Sequence, residues 1–266
     1  MGDRLKGKVA FLTGASMGIG RATATRFALE GAKVTICARG ADALADTVAD
    51  IRAKGGDVTP LKLDVSDLEA YKRAVNETAE RHGRLDILVN NAMDASMSPI
   101  EDLTLAGWHS CFRVNVDPAF VSTKECFRLM RQGGGGSIIN TVSICAIRSV
   151  PAAAAYSASK AALLQFSAIA AVEGARYDIR VNTIAPGVLD THGFRENIHD
   201  DPRAAKAIAG GVPMGRLGTP QEGANVMLFL ASDESSYVTG VCISVDGGKA
   251  VQLDVPGARD YEMAAE

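Results

Sequence analysis

Seven short apolar segments, rich in β-branched residues, recur along the chain and alternate with longer alanine-rich stretches of helical character. Strands that are apolar along their whole length belong to parallel sheets, because both faces of such a sheet are covered. The alternation predicts an α/β fold, a doubly wound parallel β-sheet of about seven strands with helices on both faces. The predicted strands are residues 9–12, 34–37, 61–63, 87–89, 138–140, 181–184 and 242–245.

The chain of 266 residues contains no obvious domain boundary. No Pro/Ser-rich linker or change of composition divides it, so we expect one domain over residues 1–266. Residues 188–220, with several glycines, prolines and charges, are predicted to form a substrate loop region, and residues 249–266 form a C-terminal tail. Long irregular segments inside a compact domain are usually functional or partly disordered.

Composition argues against several classes of partner. The formal net charge is -3, and no Lys/Arg run is interleaved with aromatic residues, so we expect no nucleic acid partner. The most apolar stretch is interrupted by Gln165 and Ser167, and the N-terminus lacks an apolar signal core, so we expect a cytoplasmic protein with no membrane partner. The five cysteines have no paired spacing, and His192 and His199 do not have the spacing of a metal pair, so no metal site is predicted.

A glycine-rich segment follows the first predicted strand and leads into a helix. Gly14, Gly18 and Gly20 have the spacing G-x-x-x-G-x-G. Glycines allow the backbone to turn tightly and approach a pyrophosphate, and a helix N-terminus offers free N–H groups. Although the spacing differs from the common G-x-G-x-x-G fingerprint, the strand before it and the helix after it favour a dinucleotide site in a Rossmann-like sheet over an ordinary βα turn.

The end of the second predicted strand bears on the choice of dinucleotide. Proteins that bind NAD usually carry an acid there, which holds the ribose hydroxyls. Here Ala38 is followed by Arg39, which leaves room and positive charge for a 2′-phosphate. NADP(H) is therefore favoured and NAD(H) is possible, since Arg39 can also be a solvated surface residue and Met17 adds no second charge. Asp64 and Val65 follow the third strand and can reach the adenine, unless Asp64 caps the next helix.

Tyr156 and Lys160 are four residues apart in a segment of helical character, so they are predicted to share one helix face. The pKa of a free tyrosine is about 10, too high for a general base at neutral pH, and a nearby cation favours the phenolate. Such a tyrosine can exchange a proton with an alcohol or alkoxide. A surface pair is the alternative. The proximity of Ser143 to the end of the fifth strand, where a doubly wound sheet opens its crevice, favours the catalytic interpretation.

Taken together, these features resemble the short-chain dehydrogenase/reductase family, in its single-domain form of about 250 residues. The resemblance covers residues 8 to about 248. The motifs that carry it occur in the expected order: T-G-x-x-x-G-I-G at residues 13–20, Asn90-Asn91-Ala92, Asn115, Ser143, Tyr156-x-x-x-Lys160, Pro186-Gly187, and the V-D-G-G sequence at residues 245–248.

The resemblance implies a role for each matched residue. Tyr156 is the implied acid/base, Lys160 lowers its pKa and holds the nicotinamide ribose, Ser143 bonds the substrate oxygen, and Asn115 supports a water that leads protons to Lys160. Thr191 is implied to bond the carboxamide. The asparagines can alternatively satisfy buried backbone groups. The full set of candidate cofactor-binding residues is Gly14, Ser16, Met17, Gly18, Ile19, Gly20, Arg39, Asp64, Val65, Asn91, Ala92, Tyr156, Lys160, Pro186, Gly187, Val188 and Thr191.

Met93 departs from the family pattern, which typically has glycine after Asn-Asn-Ala. A bulky side chain there is predicted either to strain the loop or to project into the substrate crevice, and to reshape the pocket without preventing cofactor binding. The surrounding segments are mostly apolar, which suits a mid-sized ketone or secondary alcohol. The candidate substrate-contacting residues are Met93, Ser143, Cys145, Val150, Tyr156 and His192.

These inferences predict an NAD(P)-dependent oxidoreductase that interconverts a secondary alcohol and a ketone. A catalytically inactive dinucleotide-binding sensor or scaffold is the alternative, and the presence of all four candidate catalytic residues weighs against it. A methyltransferase that uses S-adenosylmethionine would require an acidic residue at the position of Ala38 and Arg39, so these residues argue against that class. An epimerase or dehydratase usually has a longer substrate-binding region than this chain provides. The resemblance implies a homotetramer or homodimer, and the alanine-rich helix after Tyr156 has little polar surface, as expected of a subunit contact.

Overall fold

A computed structural model of the chain describes residues 2–253. Within that range, seven strands form one parallel sheet in the order β3-β2-β1-β4-β5-β6-β7. The predicted doubly wound sheet is therefore confirmed. The strands are β1 Val9–Thr13, β2 Lys33–Ala38, β3 Asp57–Lys62, β4 Ile87–Asn90, β5 Gly136–Thr141, β6 Ile179–Pro186 and β7 Cys242–Val245.

Helices cover both faces of this sheet, and each face has its own buried cluster. Helices α1, α2 and α9 contribute Phe27, Leu44 and Met227 to one cluster. Helices α3, α5 and α6 contribute Tyr71, Cys126 and Ala170 to the other. The helices are α1 Gly18–Leu29, α2 Ala41–Ala53, α3 Leu68–His82, α4 Leu105–Asn115, α5 Asp117–Gly133, α6 Ala154–Ala175, α7 His192–Asn197, α8 Pro202–Gly210 and α9 Pro220–Ala231, and 3-10 turns occur at Ile144–Ala146, Asp233–Ser235 and Lys249–Val251.

The third strand lies earlier than predicted, at Asp57–Lys62 rather than at residues 61–63. It is an edge strand that pairs with β2 alone, and its side chains alternate in burial. A continuous apolar run in the sequence therefore does not locate this strand. Pro60 is tolerated because the unpaired side of an edge strand needs no N–H donor.

The predicted substrate loop region, residues 188–220, contains two short helices. Thr191 caps α7 by accepting a hydrogen bond from the Phe194 N–H, and Asp201 caps α8, which begins with Pro202. These cap signals are present in the sequence but precede very short helices. Residues 249–253 of the predicted tail include the 3-10 turn Lys249–Val251, and the rest of the tail lies outside the described residues.

The chain reverses its winding between β1 and β4, which are neighbours in the sheet. From β1 it proceeds outward to β2 and β3, and it then returns to build β4 to β7 on the other side. Ligands of such sheets bind outside the carboxyl ends of the strands at this reversal. None of the helices in the described range has the combined length and apolar character needed to cross a membrane.

Candidate active site

A cleft of about 560 Å³ opens at the carboxyl ends of β1, β4, β5 and β6. It brings together most of the candidate residues from the sequence. Gly20, Lys160 and Asn115 are buried and lie outside its lining. The candidate residues that line it are Gly14, Ser16, Met17, Gly18, Ile19, Arg39, Asp64, Val65, Asn91, Ala92, Met93, Ser143, Tyr156, Pro186, Gly187, Val188 and Thr191.

The glycine loop is packed so closely that side chains cannot be accommodated at two of its positions. A Cβ atom on Gly14 would lie 2.8 Å from the Cα of Ala92, and one on Gly20 would lie 2.1 Å from the Gly14 carbonyl oxygen. The Asn91 amide donates to that same oxygen at 3.1 Å, which ties the end of β4 to the loop. Helix α1 begins here and its N-cap residue, Met17, supplies no side-chain cap. Backbone N–H groups at a helix start, approached through glycines, fit a pyrophosphate.

The opposite part of the cleft lies at the end of β2. Ala38 is buried and Arg39 is exposed, and both line the cleft. The carboxylate of Asp64 accepts hydrogen bonds from the Ser66 N–H at 2.9 Å and from its hydroxyl at 2.8 Å. These bonds, with a smaller contribution from the Arg39 charge, lower the pKa of Asp64. Because the N-cap of α3 is Asp67, Asp64 holds the preceding turn and the alternative of a helix cap is wrong for it.

Tyr156 and Lys160 lie one turn apart near the start of α6, at the inner end of the cleft. The Lys160 Nζ lies 5.8 Å from the centroid of the Tyr156 ring and donates to the Thr141 carbonyl oxygen at 2.7 Å. Only 1% of Lys160 is exposed. Ser143 follows β5, and its Oγ accepts a hydrogen bond from the Cys145 N–H at 3.1 Å. The end of β5 and the first two turns of α6 therefore bring three of the four candidate catalytic residues together.

Burial dominates the protonation of this pair. It raises the pKa of Tyr156 to about 12, and the nearby Ser143 hydroxyl offsets only part of that effect. It also lowers the pKa of Lys160 to about 8, because an ammonium loses its hydration in the interior. In the polypeptide alone, removal of the phenol from water therefore has the largest effect on its pKa, and the expectation that Lys160 lowers the pKa of Tyr156 stays a prediction.

Asn115 is the last residue of α4, next to the break between α4 and α5. Pro118, near the start of α5, has no N–H to continue the α4 hydrogen-bond ladder. The Asn115 side chain accepts from the Asp94 N–H and donates to the Asp94 carbonyl, both at 2.8 Å, and it donates to the Ser159 Oγ at 2.9 Å. Ser159 in turn donates to the Tyr156 carbonyl at 2.7 Å. Both amide N–H groups of Asn115 thus donate to protein atoms, in line with the alternative that the asparagines satisfy buried backbone groups. The role of Asn115 in holding a water remains a prediction.

Asp94 forms a second set of contacts that sequence reasoning missed. One carboxylate oxygen accepts from the Ser96 N–H at 3.0 Å and from its hydroxyl at 2.8 Å, and the other accepts from the Ser110 hydroxyl at 2.5 Å. The carboxylate thereby ties the loop after β4 to α4. Its partners are two and sixteen residues away, and only the first has a spacing that a local turn motif would reveal.

Met93 lies on this loop and 54% of it is exposed, with its side chain lining the cleft. Its φ angle does not lie in the left-handed region, so the expectation of a strained loop is wrong and the alternative, projection toward the crevice, describes it. Three other substrate candidates, Cys145, Val150 and His192, lie outside the cleft lining. The exposed His192 faces Glu196, 3.2 Å away, because i and i+4 share one face of α7. Leu189 and Phe194 line the cleft in this region, along with Gly193.

Within residues 2–253, no three His, Cys, Asp or Glu side chains are clustered closely enough to hold a metal ion. The cleft is lined by a glycine loop at a helix start, by a small residue and an arginine at the end of β2, and by a serine and a tyrosine at the inner end, with a buried lysine one helical turn beyond the tyrosine. This combination of fold and site defines a dinucleotide-binding oxidoreductase.

Comparison with known proteins agrees with that class. Residues 14–250 match the family model described as enoyl-(acyl carrier protein) reductase. The chain is 39% identical to 2,5-dichloro-2,5-cyclohexadiene-1,4-diol dehydrogenase from Sphingobium indicum, over 94% of this chain and 99% of the relative. It is 38% identical to cyclopentanol dehydrogenase from Comamonas testosteroni, over 92% and 98%. A 7α-hydroxysteroid dehydrogenase solved with NADH and 7-oxo glycochenodeoxycholic acid superposes with a TM-score of 0.88 at 33% identity, covering 94% and 97%.

The chain belongs to the short-chain dehydrogenase/reductase family, and it is an NAD(P)-dependent oxidoreductase of that family acting on CH–OH groups.

Proposed function

We propose that the chain interconverts a secondary alcohol and the corresponding ketone, with Tyr156 as the acid/base. The observation that carries the proposal is the arrangement of Tyr156 and Ser143 in the same part of the cleft lining, with the buried Lys160 one helical turn from Tyr156. The names of the relatives support it, since two are dehydrogenases of ring alcohols and the third was solved with NADH and an oxo compound.

The nicotinamide, when bound, supplies or accepts the hydride. A Tyr156 pKa of about 12 keeps the phenol protonated at neutral pH, so in the direction of carbonyl reduction it acts as the acid that protonates the developing alkoxide. Ser143 donates a hydrogen bond to the same oxygen. With a pKa of about 8, Lys160 is mainly charged at neutral pH and stabilises negative charge on the phenol in the oxidation direction.

The test is the Tyr156→Phe variant, assayed with a panel of cyclic and acyclic alcohols and ketones while the absorbance of the reduced dinucleotide is followed. We expect kcat to fall by at least about 100-fold, because a positioned acid/base usually contributes about 10²- to 10⁴-fold. The Kd for the dinucleotide should change by less than about twofold. Full activity in this variant contradicts the mechanism. Wild-type protein that binds dinucleotide but converts no member of the panel supports the alternative of an inactive sensor or scaffold.

We also propose that NADP(H) is the preferred dinucleotide and that NAD(H) is the weaker ligand. Ala38 leaves space at the end of β2, and the exposed Arg39 provides a guanidinium for a 2′-phosphate. Charge-assisted hydrogen bonds are among the stronger polar interactions, so Arg39→Ala should weaken NADP⁺ binding by about tenfold and leave NAD⁺ binding unchanged. Arg73→Ala, at an exposed arginine of α3 outside the cleft lining, is the matched control. Equal losses for both dinucleotides in Arg39→Ala would refute the assignment.

The outer face of α5 and α6 supports the proposal of a homotetramer or homodimer. Phe120, Ile169 and Val172 expose half or more of their surfaces there, and Phe120 packs edge-on against Phe166 with the ring centroids 6.0 Å apart. Exposed apolar residues grouped on one face are typical of a contact between subunits. Sedimentation of the full chain should give a dimer or tetramer, and a stable monomer refutes this part of the proposal.

A further inference from the structure

Large apolar side chains are exposed on four segments around the mouth of the cleft. The segments are residues 93–98, 147–152, 213–214 and 246–251, and we call them the rim. Such side chains are costly to leave in water, and contiguous apolar patches usually mark a binding surface. The exposed fractions are 54% for Met93, 54% for Met97, 39% for Ile147, 45% for Val150, 68% for Met214 and 84% for Val251.

Hydrogen bonds and close packing join the rim segments to one another and to the cleft. The Ser98 N–H donates to the Ala152 carbonyl at 2.7 Å, and the Met214 N–H donates to the Gly247 carbonyl at 3.3 Å. The Arg148 guanidinium donates to the Ala250 carbonyl at 2.7 Å. Gly187, which lines the cleft, packs so closely on Asp246 that a Cβ on the glycine would lie 2.7 Å from the Cβ of Asp246. The rim is therefore a continuation of the cleft.

The charged side chains of the rim are engaged with the protein itself. Asp94 accepts hydrogen bonds from the two serines described above, and Arg148 donates to backbone carbonyls. The Asp246 carboxylate accepts from the Gly248 N–H at 3.0 Å and the Ala250 N–H at 2.6 Å. Lys249 directs its Nζ toward Gly211, at the C-terminal end of α8, where a cation is favourable. What the rim presents outward is mainly hydrocarbon and thioether.

We propose that the rim binds the non-reacting body of the substrate, and that this body is an apolar fused-ring or long-chain skeleton rather than a polyol or a sugar. This inference rests on the proposed alcohol/ketone function. Methionine side chains are flexible and polarisable, so they adapt to apolar ligands of irregular outline. A polyhydroxylated substrate would lose hydration here without gaining partners, which is unfavourable.

Three ring alcohols that differ in size or polarity test the proposed apolar preference of the wild-type enzyme: cyclohexanol, the larger decahydronaphthalen-2-ol and the more polar myo-inositol. Each methylene fully removed from water is worth about a fourfold gain in kcat/KM. A second fused ring that is only partly covered should therefore raise kcat/KM by at least about tenfold over cyclohexanol. Myo-inositol, which has the same ring size with a hydroxyl on every carbon, should be the poorest substrate.

Met97→Gln and Met214→Gln keep the length of the side chain while making it polar. In each, the ratio of kcat/KM for decahydronaphthalen-2-ol to kcat/KM for cyclohexanol should fall at least threefold. Ile100→Gln is the matched control, because Ile100 is 80% exposed on the same connection as Met97 but lies outside the rim. We expect it to leave the preference unchanged.

Binding of 2-decalone, measured by calorimetry in the presence of the dinucleotide, separates this proposal from the proposed function. If no alcohol or ketone is converted but 2-decalone binds and both methionine variants weaken its binding at least threefold, the proposed function fails and the rim assignment stands. If cyclohexanol is converted without a gain from the second ring, or with a gain that neither substitution reduces, the rim assignment is overturned. Absence of both turnover and 2-decalone binding overturns both.

Discussion

Replacement of Lys160 by methionine tests the energetic cost of the buried ammonium. The side chain is 1% exposed, and burial lowers its pKa from the ordinary 10.5 to about 8. One pKa unit corresponds to about 1.4 kcal/mol, so the difference between those two values amounts to about 3 kcal/mol. Lys160→Met keeps an unbranched side chain of similar length and removes the titrating group.

The sign of the effect follows from where the proton resides. Below about pH 8 the lysine is protonated in both the folded and the unfolded chain, so the difference in stability between wild type and variant is constant. Between about pH 8 and 10.5 the unfolded chain keeps a proton that the folded chain has released. The free energy of unfolding of the wild type should therefore rise by up to about 3 kcal/mol relative to Lys160→Met over that interval.

Urea unfolding of both proteins without added dinucleotide, at several pH values from 7 to 10.5, measures this difference. Subtraction of one protein from the other cancels the other titrating groups. The variant also loses the 2.7 Å hydrogen bond from Lys160 to the Thr141 carbonyl. Because methionine does not titrate, this loss changes the free energy of unfolding of the variant by the same amount at every pH. The slope of the difference in stability with pH is therefore the informative quantity. A difference that stays flat across this range would refute the inference that burial depresses the lysine pKa.

Three further outcomes are expected. Gly20→Ala should raise the Kd for the dinucleotide more than tenfold, because its Cβ would meet the Gly14 carbonyl, whereas Gly133→Ala, at the end of α5 with open space around it and outside the cleft lining, should leave the Kd unchanged in a binding titration. Asp94→Ala should lower the free energy of unfolding by about 2 kcal/mol through loss of the bond from Ser110, with Asp94→Asn recovering most of it in urea titrations. Met93→Gly should alter the kcat/KM ratio between bulky and small ring alcohols and spare dinucleotide affinity; an unchanged ratio speaks against a role for Met93 in the pocket.

The central strands were predictable because each is apolar on both faces. Strands β1, β4, β5 and β6 were found within a few residues of their observed bounds, since burial under helices on both sides imposes a continuous apolar run. The predicted position of the edge strand β3 was wrong, because the exposed positions of this strand carry polar residues and pairing with β2 sets where it lies. The helices α7 and α8 were missed because each is short and their apolar periodicity is brief.

The candidate site was predictable where the chemistry is local. Tyr156 and Lys160 share a helical turn, and the glycine loop spans seven residues, so each motif carries its own spacing. The substrate end was harder to predict. Phe194 lines the cleft while its neighbour His192 points away, a choice made by the phase of α7. The contacts of Asp94 with Ser110 depend on the packing of α4 beside the loop after β4.

By itself the sequence determined the layer architecture, the place of the dinucleotide loop and the identity of the residues around the phenol, because periodicity and short spacings are properties of the chain. Only the tertiary structure decided how strongly those groups are buried, and with that the direction in which the Tyr156 and Lys160 pKa values move. Desolvation depends on atoms contributed by β5, α4 and α6 together, which are far apart in sequence. The continuity of the apolar rim has the same origin, since hydrogen bonds between four separate segments bring them together there.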